Sequence, residues 1–284
     1  MKILVTGAAG MLGQAVVATP CEHELVGVDL PDADLTSAND IEALFGTHKP
    51  NWVVHCAAYT DVDGAEEARD LAQQVNAGAT TLLAAACDRF SAGLTAVSTD
   101  YVFAGTNPEG YDETDPRDPV NHYGATKAGA EEAVEGMSAA GQIVRTSWLF
   151  GPGPKNFVLT IRRLLRSRPE LKVVDDQRGC PTYAPDLARV LIHLAGTGIA
   201  GHYHATNAGI CTWLEFAREI ARLEGYEAEV VRPCSSAEFP VPARRPECSI
   251  LKSTALEATG YPPRPSWQDA LALYLEALRS EETR

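Results

Sequence analysis

The apolar residues of this chain fall in short unbroken runs set between longer stretches of mixed character. Ile3-Leu4-Val5, Leu25-Val26, Trp52-Val53-Val54, Leu94 to Val97 and Ile143-Val144 lack the polar alternation of a strand with one wet face. They read as strands of a parallel sheet covered on both sides. The runs predict strands over 2–6, 24–28, 52–58, 94–97 and 142–145, with a short one closing on Asp34-Leu35. Helical stretches at 14–18, 37–46 and 71–90, and one opened by Tyr123 and Lys127, alternate with them. This order is that of an α/β doubly wound parallel sheet. After Thr146-Ser147-Trp148 the rhythm changes, and Gly151-Pro152-Gly153-Pro154 marks a break. Beyond it lie loops, short strands and helix candidates at 156–168, 185–196, 213–224 and 267–279, with a capping-box signal at Thr212 and Glu215. The division expected is 1–150 for the sheet domain and 151–284 for a smaller α+β cap, some of whose segments return to the core.

Composition narrows the class. A chain of 284 residues is one large domain, or one domain with an appendage. No apolar run approaches the roughly 20 residues of a membrane span. A strand starts at Lys2, which leaves no room for a signal peptide. Seven scattered cysteines without a Cys-x-x-Cys pair argue against a disulfide framework or a zinc site, and for a reducing cytoplasm. The formal charge of -14 disfavours nucleic acid and anionic membrane as partners.

The first strand runs directly into Gly7-Ala8-Ala9-Gly10-Met11-Leu12-Gly13 and a helix. Strand, glycine turn and helix make a dinucleotide site of Rossmann type. Gly7 permits the turn, Gly10 lets backbone approach a pyrophosphate at the helix N-terminus, and Gly13 lets the helix pack on the sheet. Met11 and Leu12 belong to the same turn. Asp29, about 20 residues on, suits the adenosine ribose hydroxyls. Leu30, Pro31 and Asp32 follow it, with no arginine for a 2'-phosphate. NADH is therefore the expected cofactor, with NADPH possible. Asp34 and Leu35 are placed to flank the adenine. Ala57, Ala58 and Tyr59 close a strand at its carboxyl end, where open sheets bind ligands, and Asn76 lies on the following helix.

Tyr123 and Lys127 stand four residues apart on one helical face. An ammonium there would lower the phenol's pKa and equip it to give or take a proton at a carbonyl or alcohol. Ser98 and Thr99 end the 94–97 strand and offer hydroxyls to a reacting carbonyl. Lys155, Arg162, Arg163, Arg178, Arg244 and Arg245 stand out in an acidic chain, and arginine suits bidentate recognition of phosphate. His55 sits in an apolar run as a core histidine. His202 and His204 lack a third ligand nearby and read as structural.

Gly7-x-x-Gly10-x-x-Gly13, Ser98-Thr99 and Tyr123-x-x-x-Lys127 together resemble the extended short-chain dehydrogenase/reductase family over nearly the whole chain. More specific marks are Ser98-Thr99-Asp100-Tyr101-Val102-Phe103, Arg145-Thr146-Ser147-Trp148, Asn156-Phe157, Asp176-Gln177-Arg178-Gly179-Cys180-Pro181-Thr182 and Ala243-Arg244-Arg245-Pro246. The resemblance implies hydride transfer to C4 of a 4-keto-6-deoxy sugar attached to dTDP. Tyr123 would protonate the alkoxide, Lys127 would hold the nicotinamide ribose, and Thr99 would orient the keto oxygen. Ser98, Asp100, Tyr101, Trp148, Asn156, Arg178 and Arg244 would contact the substrate. Some members bind magnesium through an acidic residue early in the first helix. Ala15 stands at that place here, so no metal is expected, and the protein is expected as a monomer or homodimer. Within this fold a different nucleotide-linked 4-keto sugar is an alternative, as is a sugar-nucleotide epimerase or dehydratase. A dehydratase would carry a second carboxylate where Tyr101 stands. A non-catalytic regulatory subunit is the rival from another class.

Overall fold

The computed structural model describes residues 1–282. Its centre is a six-stranded parallel sheet in the order β10-β5-β4-β3-β1-β2. The strands are β1 (Lys2–Thr6), β2 (Glu24–Val28), β3 (Trp52–His55), β4 (Gly93–Thr99), β5 (Gly141–Thr146) and β10 (Gly201–His204). Side chains alternate across the pleat. Ile3 and Val5 therefore join one core with Leu12 and Val16 of α1 (Met11–Val17) and Leu187 and Leu191 of α8 (Ala184–Thr197). Leu4, Val53 and Leu94 join the opposite core with Ile41 and Phe45 of α2 (Ala38–His48) and Leu83 and Cys87 of α5 (Ala79–Phe90). Two covered faces explain the unbroken apolar runs. The chain leaves β1 toward β2 and then crosses to β3 on the other side. That reversal makes a crevice at the strands' carboxyl ends, where such sheets bind ligands. α8 and β10 come from the second half of the chain, and β10 pairs with β5 from Gly201 opposite Gln142 to His204 opposite Arg145.

The short helices α3 (Gly64–Glu67) and α4 (Arg69–Gln73) lie between β3 and α5, and α6 (His122–Glu135) precedes β5. The remaining elements build a second core. Phe150, Ile161 of α7 (Phe157–Ser167), Phe216 and Ile220 of α9 (Trp213–Leu223), and Leu271 and Tyr274 of α11 (Trp267–Glu282) fill it. Three small strand pairs surround it: β6 (Leu149–Phe150) with β9 (Thr182–Tyr183), β7 (Leu171–Val174) with β12 (Val231–Cys234), and β8 (Arg178–Gly179) with β11 (Cys211–Thr212). α10 (Ala255–Ala258) lies against β10. Thr212 and Glu215 form the expected capping box at the start of α9.

Three expectations are corrected. Asp34-Leu35 closes no strand, because the Asp34 carboxylate accepts from both the amide and the hydroxyl of Thr36, at 2.9 and 2.7 Å. That local bonding competes with a ladder. The helix read over 71–90 is interrupted by a π-turn at Gln74–Gly78. β3 ends at His55, so Ala57 and Ala58 lie in the loop beyond it. All seven cysteines are free, and no helix among the described residues is long and apolar enough to cross a membrane.

Candidate active site

A cavity of about 800 Å³ opens at the carboxyl ends of the central strands. The glycine turn forms its floor. Gly7 has a left-handed φ of +71°, and a Cβ there would stand 2.5 Å from the Ala57 amide nitrogen. A Cβ on Gly13 would stand 2.0 Å from the Gly7 carbonyl oxygen. α1 thus lies against the turn at a distance that only glycine permits. It begins on Gly10 without a side-chain cap, and Gly10, Met11, Leu12 and Gly13 all border the cavity. This open helix start suits a phosphate. Gly13→Ala is expected to destabilise the fold by about 1–3 kcal/mol, the ordinary cost of overpacking, read as a lowered midpoint in urea. Asp29 follows β2 and accepts from the Ala9 amide through Oδ2 at 2.7 Å. Leu30, Ala33, Asp34 and Leu35 continue the wall there.

Tyr123 and Lys127 border the same cavity. Asn121 caps α6 by accepting from the Gly124 amide at 2.8 Å, and its amide donates to the Arg244 carbonyl at 2.8 Å. One helical face then carries Tyr123, Lys127 and Glu131. Thr99, the last residue of β4, borders the same cavity as Tyr123. Burial pushes the Tyr123 phenol up to about 12, and Asp100 adds to this, while Thr99 partly opposes it. Burial also pulls Lys127 down to about 8, with Glu131 and Cys56 opposing. Desolvation is the largest effect on both groups. Tyr123 stays protonated at neutral pH, the state a proton donor requires.

Trp148 and Trp213 also border the cavity, stacked with centroids 3.6 Å apart and planes 6° apart. Trp148 adopts a left-handed φ of +48°. A Cβ on Gly179 would meet its ring at 2.5 Å, so glycine is required behind it. Trp213 and Lys155 border the cavity and were not among the expected site residues. Trp213 opens a capped amphipathic helix, and nothing in the spacing separates it from a core residue. Lys155 had only its charge and the preceding Gly-Pro break as a signal.

Several expected site residues lie elsewhere. Asn76 is fully buried, where its side chain accepts from the Tyr59 amide at 2.8 Å and donates to the Thr126 hydroxyl at 2.9 Å. Neither Asn76 nor Tyr59 borders the cavity. Asn156 caps α7 and donates to the Gly151 carbonyl and the Tyr274 hydroxyl at 2.8 and 3.1 Å. Ser98 borders the cavity, but its hydroxyl donates to Glu131 at 2.5 Å. Arg178 and Arg244 are exposed and outside the cavity lining, while Arg245 pairs with Asp63 at 2.7 Å. His55 accepts or donates at Thr6 inside the core, at 2.7 Å. His202, Glu131 and Glu135 bring ligand atoms within 4.8 Å of one another, but the guanidinium groups of Arg145 and Arg117 already pair with those carboxylates.

A doubly wound sheet with a glycine turn, and with Thr99, Tyr123 and Lys127 converging at its carboxyl ends, defines an extended short-chain dehydrogenase/reductase. The family model described as RmlD substrate binding domain matches residues 1–280, and the chain belongs to that family. It is 41% identical to a dTDP-4-dehydrorhamnose reductase from Streptomyces griseus, over 97% of this chain and 93% of the relative. It is 38% identical to a dTDP-4-keto-6-deoxy-D-glucose reductase from Streptomyces niveus, over 99% and 98%. The crystal structure of the Bacillus anthracis dTDP-4-dehydrorhamnose reductase in complex with NADP superposes with a TM-score of 0.93. It is 38% identical, over 97% of this chain and 99% of that one.

Proposed function

We propose that this protein catalyses the dTDP-4-dehydrorhamnose reductase reaction: it reduces the C4 ketone of a dTDP-linked 4-keto-6-deoxy sugar with a nicotinamide hydride. The observation that carries this is a protonated tyrosine and a threonine hydroxyl meeting in a cavity between a glycine turn and an indole pair. The glycine turn and the open start of α1 fit a dinucleotide, whose nicotinamide supplies the hydride when bound. Thr99 holds the ketone oxygen, and the Tyr123 hydroxyl gives its proton to the oxygen as charge develops there. Lys127, buried one turn further on, keeps positive charge near the reacting end. Trp148 and Trp213 offer the sugar an apolar wall that suits a methyl group at C6. The relatives' names support the substrate class, and seven free cysteines suit a reducing cytoplasm.

The cofactor reading is NADH in preference to NADPH, although the Bacillus anthracis relative was crystallised with NADP. The cavity wall at Asp29 to Thr36 carries two carboxylates and no cation. A 2'-phosphate would meet like charge there. Asp29→Ala is expected to raise KM for NADH about tenfold relative to that for NADPH, the effect of losing one charge-assisted hydrogen bond. An unchanged ratio would remove the basis of the preference.

The deciding assay is NADH and NADPH oxidation with dTDP-4-dehydro-L-rhamnose, generated in place by the two preceding enzymes. Rapid oxidation giving dTDP-L-rhamnose is expected. No oxidation by protein that binds NADH would reject this substrate. The Streptomyces niveus relative favours one second reading, reduction of dTDP-4-keto-6-deoxy-D-glucose. The same assay with that sugar distinguishes the two.

A further inference from the structure

On the reductase reading, on which this inference rests, one cavity takes up two diphosphates, that of the cofactor and that of the nucleotide-linked sugar. Its walls carry little positive charge to meet them. Asp29, Asp34 and Asp100 border it against Lys127 and Lys155, and no arginine or histidine is among the lining residues. Lys127 is 3% exposed and stands one helical turn from Tyr123, so its ammonium serves the reacting end. Lys155 is exposed, and among the described residues its ammonium has neither a hydrogen bond nor an ion pair. It is the one lining cation that no other role occupies. We infer that Lys155 binds the diphosphate of the sugar nucleotide and so determines the affinity for it.

The local sequence holds the Lys155 backbone in place although the side chain is free. Pro154 precedes it and fixes its own φ. Asn156 follows it, caps α7, and donates back to the Gly151 carbonyl at 2.8 Å, which closes the Gly-Pro-Gly-Pro turn. A Cβ on Gly153 would stand 3.4 Å from the Met11 Cβ, so this turn packs on the first residue of α1. Two residues beyond Lys155, Phe157 packs on Trp213 with ring centroids 4.5 Å apart, and Trp213 is stacked on Trp148. The segment that carries Lys155 therefore touches the glycine turn at one end and the indole pair at the other.

The two diphosphates differ in what else receives them. The cofactor's has the uncapped start of α1 and the backbone of the glycine turn. The sugar's is attached at C1, across the ring from the C4 ketone, and leaves the indole pair on the side away from the reacting carbon. The helix start next to that wall, α7, is already capped, with Asn156 Oδ1 accepting from the Leu159 amide at 3.0 Å. A side-chain cation is what remains. A lysine ammonium is a compact charge with three donors on a flexible stem, so it follows a phosphate without requiring a fixed plane. The charge of the diphosphate does not change as hydride moves. Lys155 therefore holds ground state and transition state alike, which lowers KM and leaves kcat nearly untouched.

The test titrates dTDP and, separately, NADH into wild type, Lys155→Gln and Lys155→Arg by calorimetry, and sets beside them the steady-state oxidation of NADH by dTDP-4-dehydro-L-rhamnose. Lys155→Gln should weaken dTDP about tenfold, the effect of one charge-assisted hydrogen bond, and leave NADH within about twofold. KM for the sugar nucleotide should rise by about the same factor, with kcat within about threefold of wild type. Lys155→Arg keeps the charge and should return dTDP to within about threefold of wild type. Added salt should weaken dTDP binding to wild type more than to Lys155→Gln, because it screens an exposed charge. The side chain is exposed, so neither substitution should move the urea midpoint. Equal dTDP affinity in wild type and Lys155→Gln would overturn the inference. Weakened NADH with unchanged dTDP would assign Lys155 to the cofactor and overturn it too. So would a loss of dTDP binding that arginine does not restore and salt does not diminish, which would make Lys155 a structural residue of its turn. A wild type that binds NADH and not dTDP would reject the nucleotide-sugar reading and this inference with it; one that binds dTDP no better than Lys155→Gln rejects the inference alone.

Discussion

Replacing Tyr123 with phenylalanine should lower turnover by about 10²–10⁴, the usual contribution of a positioned general acid, while NADH binding stays within about threefold of wild type. The ring is kept, so its edge contact with Tyr101, at 5.9 Å between centroids, survives. What disappears is the hydroxyl that Tyr123 brings to the cavity. Of the donors that remain along the cavity, the Thr99 hydroxyl is a far weaker acid than a phenol and hydrogen-bonds to Asp100, and burial pushes the Tyr101 phenol above its ordinary value. Because burial holds the phenol at about 12, wild-type turnover should show no loss attributable to Tyr123 itself between pH 6 and 9. Loss at neutral pH would come from another group. Steady-state kcat with NADH, set beside a cofactor dissociation constant, separates chemistry from binding. Near-normal kcat in the variant would remove Tyr123 from the proton-transfer step.

The same residue illustrates what a linear sequence can convey. The spacing of Tyr123 and Lys127 fixes that they share a helical face, because 3.6 residues make a turn. It does not fix how dry that face is. Desolvation follows from what packs around that face, β4 among it, and it turns the tyrosine from a lowered phenol into a raised one. The glycine turn was legible for the opposite reason. Gly7 and Gly13 answer to backbone contacts within a few residues of themselves and at Ala57, and these are fixed once strand, turn and helix are in place. The unbroken apolar runs likewise reported two covered faces. At Asn156 a helix cap and a ligand contact ask for the same amide, and its bonds to Gly151 and Tyr274 exist only in the folded protein. Trp213 was missed because its partner Trp148 lies 65 residues away in the chain, and a stack between them exists only in the folded protein.

Arg145→Met should destabilise the protein by about 3–5 kcal/mol, because it strands a buried carboxylate. Arg145 is 1% exposed, as is Glu131. Its Nε and Nη2 donate to the two Glu131 oxygens at 2.9 and 2.7 Å, and its guanidinium lies 4.9 Å from the Phe103 ring centroid. Glu131 also accepts from Ser98 at 2.5 Å and from Arg117 at 3.1 Å. Burial raises the Glu131 carboxyl, but Arg145, Ser98 and Arg117 together outweigh it and hold the group below its ordinary value. A depressed folded pKa gives stability that is present above the unfolded value and lost as pH falls through the folded one. Wild type should therefore keep this contribution at neutral pH and lose it only in acid. In Arg145→Met the largest opposing cation is gone, so acid unfolding should begin at higher pH. Pairing the change with Glu131→Leu should recover much of the loss, since a buried ion pair exchanged for apolar packing is often close to neutral. Urea midpoints for the two single variants and the double variant measure this coupling. Additive losses would mean that the pair is not a unit. The consequence reaches the active site, because Ser98 precedes Thr99 on β4 and Glu131 follows Lys127 by one helical turn. Glu131 fastens β5, through Arg145, and β4, through Ser98, to the helix that carries Tyr123 and Lys127, so the double variant, with its stability restored, should still turn over more slowly than wild type.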